Sequence, residues 1–381
     1  MIMLQPLMHQ SSMIEYESLL EANADFMDEL EAASTRVIRS GWYILGQEVS
    51  LFEEEFAKFI GAKHCIGVGN GLDALIISIV ALKLPQGSDI LVASNTYIAT
   101  ILAIIRAGHY PILVEPDSKT FNMDPLGLNA AMTPNTRAIC VTHLFGKVCK
   151  MDIISAFAKR FDLGLVEDCA QSHGAKLGKK AAGTFGDAGC FSFYPTKNLG
   201  SLGDAGAIIT NDDTMAEQIR CIRNYGSNEK YLHQYLGYNS RLDELQAAFL
   251  RVKLRYLDQI IDHKRTLADI YFKNLPDWLV KPMNNSEEFD VFHIFGVRYF
   301  ARDELRAWLL ENHIKTEVHY PVPPHKQNSM KGIISGEYPI ADILHSTELS
   351  LPISFGHSYD EILQVCETIK KFPKRPFDQL R

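Results

Sequence analysis

The sequence predicts an α/β protein with a large, mainly parallel sheet and a smaller α/β unit at its C-terminal end. Two observations lead to this prediction. Short apolar strands alternate with helical stretches along the first half of the chain, and several of these strands are apolar on both faces. Both features are typical of a parallel sheet covered by helices on both sides. Ligands of such sheets bind where the strands end, so the residues just after each strand are the first candidates for a site.

The elements follow one another in a repeating order. Apolar residues at helical spacing predict a helix over residues 50–59, and the segment HCIGVGNGLDALIISIVAL then predicts a strand, a glycine-rich turn and a buried helix. The segment DILVASNTYIATILAIIRAG repeats this pattern, with a strand ending at Ala93, a polar turn over residues 94–96 and a helix ending near Gly108. Further strands are predicted in PILVEP, RAICVTHLFG and LGLVEDCAQ, with a helix over residues 151–160 between the last two.

The pattern changes in the second half. CFSFYPTKN and GAIIT predict two strands around a glycine-bounded loop, and a helical tract with an apolar stripe follows over residues 241–275. Beyond it we predict a strand over 291–299, a helix over 302–312, an extended TEVHY segment and a last helix over 360–371. These elements predict a large domain over residues 1–260 and a small C-terminal domain over 261–381.

Composition excludes several classes of protein. The chain has 381 residues, 46% of them hydrophobic and 22% charged, which excludes a disordered chain. Its net charge of −8 argues against a nucleic-acid binder, which needs a basic face. We find neither a membrane-spanning run nor a secretory signal, and the seven cysteines never occur in Cys-x-x-Cys spacing. We therefore expect a cytoplasmic protein with reduced thiols, without a metal site or a membrane partner.

Three segments carry residues suited to chemistry. Asp168 closes a buried strand in VEDCAQ, where it can hold a charge at the ligand edge of the sheet or serve as a helix cap. Lys197 lies on the constrained loop FYPTKNLG, and a buried lysine there would have a lowered pKa and a nucleophilic amine, although most lysines are merely exposed. The turn GVGNGLDA offers backbone N–H groups at a helix start, the preferred place for a phosphate, but lacks the full dinucleotide fingerprint. Together these parts match a pyridoxal phosphate site.

The order of motifs along the chain resembles the DegT/DnrJ/EryC1/StrS family of sugar aminotransferases. The resemblance runs from about residue 14 to 372 and rests on GVGNGLDAL, SNTYIAT, HLFGKVCKMD, VEDCAQSHGA, FSFYPTKNLGSLGDAGA, NSRLDELQAA and HYPVPPHKQ. It implies pyridoxal 5′-phosphate as cofactor, the aspartate aminotransferase-like fold (fold type I), and a homodimer with active sites at the subunit interface. GNGLDAL with SNTYIAT is most similar to the members that aminate C-3 of a nucleotide-linked 3-keto-6-deoxyhexose.

The resemblance also implies roles for individual residues. Lys197 would form the Schiff base and then move the proton, Asp168 would pair with the pyridine nitrogen, Gln171 would contact the cofactor's phenolic oxygen, and Tyr97 would stack on its ring. The phosphate would be bound by the backbone of Gly71 and Leu72, by the Ser192 hydroxyl and, from the other subunit, by Asn239. The sugar nucleotide would be contacted by Tyr194, Lys230, His319 and Tyr320, with His325 nearby.

This sequence departs from the wider family at two positions. Leu72 replaces a threonine that many members have, which would remove a hydroxyl contact to the phosphate, and Gln171 replaces a histidine. In related dehydratases the lysine itself is a histidine, so Lys197 argues against that branch.

The expected activity is a ping-pong transamination. L-glutamate would supply the amino group, and a dTDP-linked 3-keto-6-deoxyhexose would receive it at C-3 to give a 3-amino-3,6-dideoxy sugar, with the galacto product favoured and a use in O-antigen or S-layer glycans. Three alternatives stay open: amination at C-4 of a 4-keto sugar, a non-catalytic regulator that binds the cofactor, and a nicotinamide-dependent oxidoreductase.

Overall fold

A seven-stranded sheet forms the centre of the computed structural model, which describes residues 13–229, 231–285 and 287–373. Its strand order is β1-β9-β8-β5-β4-β2-β3. The strands of the described residues are β1 (His64–Val68), β2 (Asp89–Ala93), β3 (Tyr110–Val114), β4 (Thr136–Thr142), β5 (Gly164–Asp168), β6 (Lys176–Leu177), β7 (Lys180–Ala181), β8 (Ala188–Ser192), β9 (Gly206–Thr210), β10 (Ser227–Glu229), β11 (Leu232–His233), β12 (Glu288–Phe289), β13 (Phe295–Arg298) and β14 (Glu348–Leu351).

The helices cover the sheet on both faces and build the C-terminal part. They are α1 (Leu19–Asn23), α2 (Met27–Ser40), α3 (Gln47–Ile60), α4 (Gly71–Ala81), α5 (Ile98–Arg106), α6 (Leu128–Ala131), α7 (Met151–Arg160), α8 (Asp213–Ile222), α9 (Glu244–Leu254), α10 (Leu257–Asn274), α11 (Arg302–Glu311), α12 (Pro339–Thr347) and α13 (Tyr359–Lys370). Within the described ranges, no helix is long and apolar enough to cross a membrane.

The predicted mainly parallel sheet is confirmed. Only β9 runs antiparallel to its neighbours in this sheet, β1 and β8, so the other six strands end at one edge. Alternate residues of a strand enter different cores: Ile139 and Val141 pack on one face of the sheet, whereas Ala138 and Cys140 pack on the other. Burial on both faces explains why these strands are continuous apolar runs in the sequence.

The C-terminal part has a core of its own. Its hydrophobic cluster combines Ile14 with residues between Leu267 and Phe372, and β13 pairs antiparallel with β14 inside it. The division into domains over 1–260 and 261–381 remains a proposal. The cluster supports the C-terminal domain, but Ile14, which this division assigns to the large domain, packs into the C-terminal core.

Several elements differ from the sequence predictions. The helical tract over 241–275 is two helices, α9 and α10, interrupted at Arg255 and Tyr256. The strand expected over 291–299 is limited to β13, because Phe292 adopts a positive φ of 43° and so interrupts the extended backbone before β13 begins. Helix α2 was not predicted because it buries only Leu30, Ala33 and Val37.

Candidate active site

A cavity of about 510 Å³ lies at the edge where the parallel strands end. The neighbouring carboxyl ends of β4, β5 and β8 supply Thr142, Asp168 and Ser192 to its wall. Ten of the residues predicted for the site line this cavity together: Gly71, Leu72, Tyr97, Asp168, Gln171, Ser192, Tyr194, Lys197, His319 and Tyr320. Residues that are far apart in sequence therefore meet where the strand-end rule places a ligand.

The start of α4 forms one wall. The Asn70 side chain caps the helix by accepting from the Asp73 N–H at 2.8 Å, and the Asn70 backbone carbonyl accepts from the Ala74 N–H. The N–H groups of Gly71 and Leu72, which precede these two in the helix, are the ones available to a ligand. A Cβ on Gly71 would lie 2.6 Å from the Ser192 Cβ. Only glycine lets the helix start approach Ser192 this closely, which places backbone N–H groups and a hydroxyl side by side.

Asp168 is fixed by two hydrogen bonds at the end of β5. Its Oδ2 accepts from the Thr100 hydroxyl at 2.7 Å and its Oδ1 accepts from the Ala170 N–H at 3.1 Å. Burial raises the pKa of the carboxyl, while these bonds and the positive charge of Lys197 oppose that shift. A buried carboxylate held in this way is suited to bind a cationic ring N–H.

Lys197 follows β8 on a short turn in which its own N–H donates to the Tyr194 carbonyl at 2.8 Å. Its Nζ lies 3.3 Å from the His293 Nε2. Although part of the residue faces the cavity, burial lowers the pKa of the amine to about 8, and the charges of Asp168 and Glu17 act in the opposite direction. A larger share of the amine is therefore neutral, and nucleophilic, near neutral pH than for an exposed lysine.

Gln171 and two tyrosines form another part of the cavity wall. Gln171 accepts from the Phe145 N–H at 2.6 Å and donates to the Tyr320 hydroxyl at 3.1 Å, and the Tyr97 and Tyr320 rings lie 4.9 Å apart. Phe145 has a positive φ of 62°, so this contact depends on an unusual backbone that the sequence pattern did not reveal. The Gln171 amide is oriented from both ends.

His319 belongs to a chain of polar groups that leads away from the cavity. Its Nδ1 lies 2.8 Å from the Ser350 Oγ, and Ser350 donates to the Glu348 Oε1 at 2.5 Å. Burial raises the pKa of Glu348 to about 8 and lowers that of His319 to about 4. The imidazole is thus neutral near pH 7 and held in one orientation.

Two predicted residues lie outside the cavity wall, and a third is not among the described residues. Asn239 is exposed and outside the cavity of its own chain, although the neighbouring Ser240 accepts from the Gly69 N–H of the turn before α4. His325 pairs through Nε2 with Asp342 at 3.0 Å and packs on Tyr338, outside the cavity wall. Lys230 lies outside the described residues. The roles of all three remain predictions.

Sequence reasoning missed several residues at the site. Thr100 contacts Asp168, His293 contacts Lys197, and Glu17 and Lys264 carry charges close to the lysine. Thr100 could have been found from the sequence, since it lies in the predicted helix four residues after Thr96 of the polar turn, and the two hydroxyls lie 2.9 Å apart. The others come from segments with no motif.

A group of potential metal ligands, His143, Glu167 and Cys169, is buried behind the site. Glu167 accepts from the backbone N–H groups of Gly183, Phe185 and Gly186 and from the His143 ring. These bonds occupy both carboxylate oxygens of Glu167, so the group links β5 to the loop over residues 183–186 that precedes β8. Glu167 points to the opposite face from Asp168, as strand alternation predicts.

The donor set fits pyridoxal 5′-phosphate. The crowded contact between Gly71 and Ser192 brings helix amides and a hydroxyl together for a phosphate, and Asp168 offers a carboxylate for a ring nitrogen. Lys197 supplies the amine, and the tyrosines Tyr97 and Tyr320 supply aromatic surface.

Comparison with known proteins decides the family. The model of the DegT/DnrJ/EryC1/StrS aminotransferase family matches residues 25–370. The chain belongs to this family. It is an aminotransferase, and the expected α/β architecture of these enzymes is confirmed.

Individual relatives extend this result over nearly the whole chain. The chain is 46% identical over 361 residues to a dTDP-3-amino-3,6-dideoxy-α-D-galactopyranose transaminase of Aneurinibacillus thermoaerophilus, covering 94% of this chain and 99% of the relative. The crystal structure of Streptomyces venezuelae DesV in complex with a ketimine intermediate superposes with a TM-score of 0.94 at 39% identity, covering 96% and 100% of the two chains. The structure of Bacillus subtilis NtdA with bound cofactor PMP gives a TM-score of 0.87 at 28% identity, covering 96% and 87%.

Proposed function

We propose that this aminotransferase transfers the amino group of L-glutamate to C-3 of a dTDP-linked 3-keto-6-deoxyhexose, with the 3-amino-3,6-dideoxygalactose nucleotide as the favoured product. The observation that carries the proposal is the 46% identity to the A. thermoaerophilus transaminase, which covers every element of the cavity. The cofactor is pyridoxal 5′-phosphate, which when bound accepts electrons from the carbon that loses its proton.

The residues of the chain have separate tasks in this reaction. The amides of Gly71 and Leu72 and the Ser192 hydroxyl bind the phosphate, and Asp168 holds the ring nitrogen protonated. Lys197 Nζ takes the proton from the α-carbon of the donor and, in the second half of the cycle, delivers a proton to C-3 of the sugar. Its lowered pKa suits it to both directions near neutral pH.

The aromatic and histidine side chains at the cavity wall would contact the sugar nucleotide. Tyr194, Tyr320 and His319 face the same space as Lys197, and neutral His319 can hydrogen-bond a hydroxyl group without introducing a charge. His325, which lies outside this wall, is proposed to approach the nucleotide, as is Lys230.

The assay is incubation of the purified holoenzyme with glutamate and either the 3-keto or the 4-keto sugar nucleotide, followed by NMR of the product. We expect a nitrogen-bearing carbon at C-3 and complete loss of turnover in Lys197→Ala with the fold retained. A nitrogen at C-4 would refute the regiochemistry. A protein that binds the cofactor but transfers no amine to either sugar would instead be a regulator.

We further propose a homodimer with shared active sites in the cytoplasm, serving glycan assembly such as O-antigen or S-layer decoration. The exposed position of Asn239, away from the cavity of its own chain, supports the shared site. Mixing inactive Lys197→Ala and Asn239→Ala chains tests it, since a mixed dimer would carry one intact site and regain activity. Activity that stays absent in mixed dimers would refute the sharing.

A further inference from the structure

Two lysines are buried close to the active site without a role in the proposed reaction. Lys253 on α9 is only 5% exposed and Lys264 on α10 only 3% exposed. Lysine is among the residues least often buried, because its ammonium loses hydration. Two such residues beside a third lysine that performs chemistry call for a physical explanation.

Lys264 contacts two neighbours of Lys197, one that follows it in the chain and one that lies beside it in space. Its Nζ donates to the Asn198 Oδ1 at 2.9 Å and to the His293 carbonyl at 3.2 Å. Asn198 follows Lys197 in the chain and donates to the Val291 carbonyl at 3.0 Å, whereas the His293 ring lies 3.3 Å from the Lys197 Nζ. One ammonium group therefore connects the loop of Lys197 to the segment that touches its amine.

Glu17 provides the negative charge for this group. It lines a small cavity of about 30 Å³, room for about one water molecule, together with Lys197, Lys253 and Lys264. Burial raises the pKa of Glu17 and lowers those of Lys253 and Lys264 to about 8, while the attraction between Glu17 and the lysines opposes these shifts. The titratable groups that act on Lys197 are Asp168, His173, His293, His319, Glu17 and Lys264, and Lys253 acts on Glu17.

We propose that Lys264 is a positioning residue for Lys197, and that Lys264 and Glu17 together set the proton affinity of the Lys197 side-chain nitrogen. Lys264 holds the loop through Asn198 and His293 and adds a positive charge, and Glu17 adds the opposing negative charge from the N-terminal segment. The inference rests on the proposed function, because it assumes that Lys197 is the residue that joins the cofactor.

Opposite charge effects make the proposal testable. In the holoenzyme, the absorbance of the cofactor joined to Lys197 changes with pH, and its midpoint reports the proton affinity of that nitrogen. Lys264→Met removes a positive charge and is expected to raise this midpoint by about one pH unit, whereas Glu17→Gln is expected to lower it by about the same amount. Lys264→Arg retains the charge and is expected to move the midpoint back toward that of the wild type.

Lys253→Met is the matched control, because Lys253 lines the same cavity but makes no hydrogen bond to Asn198 or His293 among the described residues. Lys253→Met should leave the midpoint and kcat close to those of the wild type, because Lys253 acts on Glu17 and not directly on Lys197, whereas Lys264→Met should raise the midpoint and lower kcat. Midpoints that stay in place, or that move in the same direction for Lys264→Met and Glu17→Gln, would overturn the proposal, as would equal kcat values for the two lysine variants.

Failure of the inference can be told apart from failure of the proposed function. If Lys197→Ala still gives the wild-type absorbance, Lys197 is not the attachment site and the proposed function fails. If the wild type transaminates and only the variant midpoints are unmoved, the inference alone fails. Should Lys264→Met not fold, Glu17→Gln decides, since an unchanged midpoint there refutes the charge effect by itself.

Discussion

Replacing Gly71 by alanine tests directly whether the start of α4 and Ser192 together bind the phosphate. The added Cβ would lie 2.6 Å from the Ser192 Cβ and 3.2 Å from both the Ser192 Cα and Oγ. Carbon atoms in contact normally lie about 3.5–4.0 Å apart, so the overlap is roughly 1 Å. Because it involves the Cβ and backbone of Ser192, no rotation of the serine side chain removes it.

The magnitude follows from the ways this overlap can be relieved. Overpacking of a close contact costs about 1–3 kcal/mol. If the turn and Ser192 move apart, the phosphate loses its aligned donors and the dissociation constant of the cofactor rises by about 5- to 150-fold. If they do not move, the same cost lowers the stability of the apoprotein.

Two measurements on the same variant separate these outcomes: titration of the apoprotein with pyridoxal phosphate, and thermal unfolding without it. Gly69→Ala is the matched control, since its Cβ would meet the more adjustable Ser240 Oγ at 3.3 Å two residues earlier in the same turn. A Gly71→Ala variant whose cofactor affinity and apoprotein stability both match those of Gly69→Ala would refute a steric role for Gly71.

Three further predictions concern the groups around the site. Thr100→Val removes the hydroxyl bond to Asp168, so the pKa of Asp168 should rise and turnover should fall by about 5- to 100-fold with the fold retained; unchanged kinetics would contradict this. Glu167→Gln replaces an oxygen that accepts from backbone N–H groups by an N–H donor. Denaturant titration should show a free energy of unfolding lower by about 2–4 kcal/mol. Glu287→Gln, at an exposed position, is the control and should have a negligible effect. Burial raises the pKa of Glu348 in the folded protein to about 8, so its contribution to stability is fully present below its unfolded pKa near 4.5 and is lost as the pH rises toward 8. Glu348→Gln should therefore gain stability relative to the wild type between about pH 5 and 8. Parallel profiles of unfolding free energy against pH for the two proteins would refute this.

The ends of the parallel strands were predictable because local pattern determines them. Asp168 follows an apolar run, and the rule for parallel sheets places such a residue at the ligand edge without knowledge of the strand order. Ser192 was predicted from the family resemblance, and it lies at the end of the neighbouring strand β8. The turn before α4 was predictable for the same reason, since glycines precede an apolar helix, whereas the Asn70 cap emerged from the structure.

The supporting contacts could not be predicted, because they depend on how distant segments pack. Lys264 lies on an amphipathic helix whose pattern marks the position only as a lysine, and its partners Asn198 and His293 come from two other segments. Glu17 precedes a five-residue helix that carries no motif. The positive φ of Phe145, which presents its N–H to Gln171, also arises from tertiary packing rather than from the residue type.

The net charge of −8 and an anionic substrate are compatible because the two act over different distances. Exposed charges are largely screened beyond roughly 8 Å at physiological ionic strength, so the acidic surface contributes little inside the cavity. There the amides at the start of α4 and the Lys197 amine act at short range and in a medium of low polarity, where each interaction is stronger. Total charge therefore argues against a polyanion laid across the surface, whereas a single phosphate is recognised by groups within hydrogen-bonding distance.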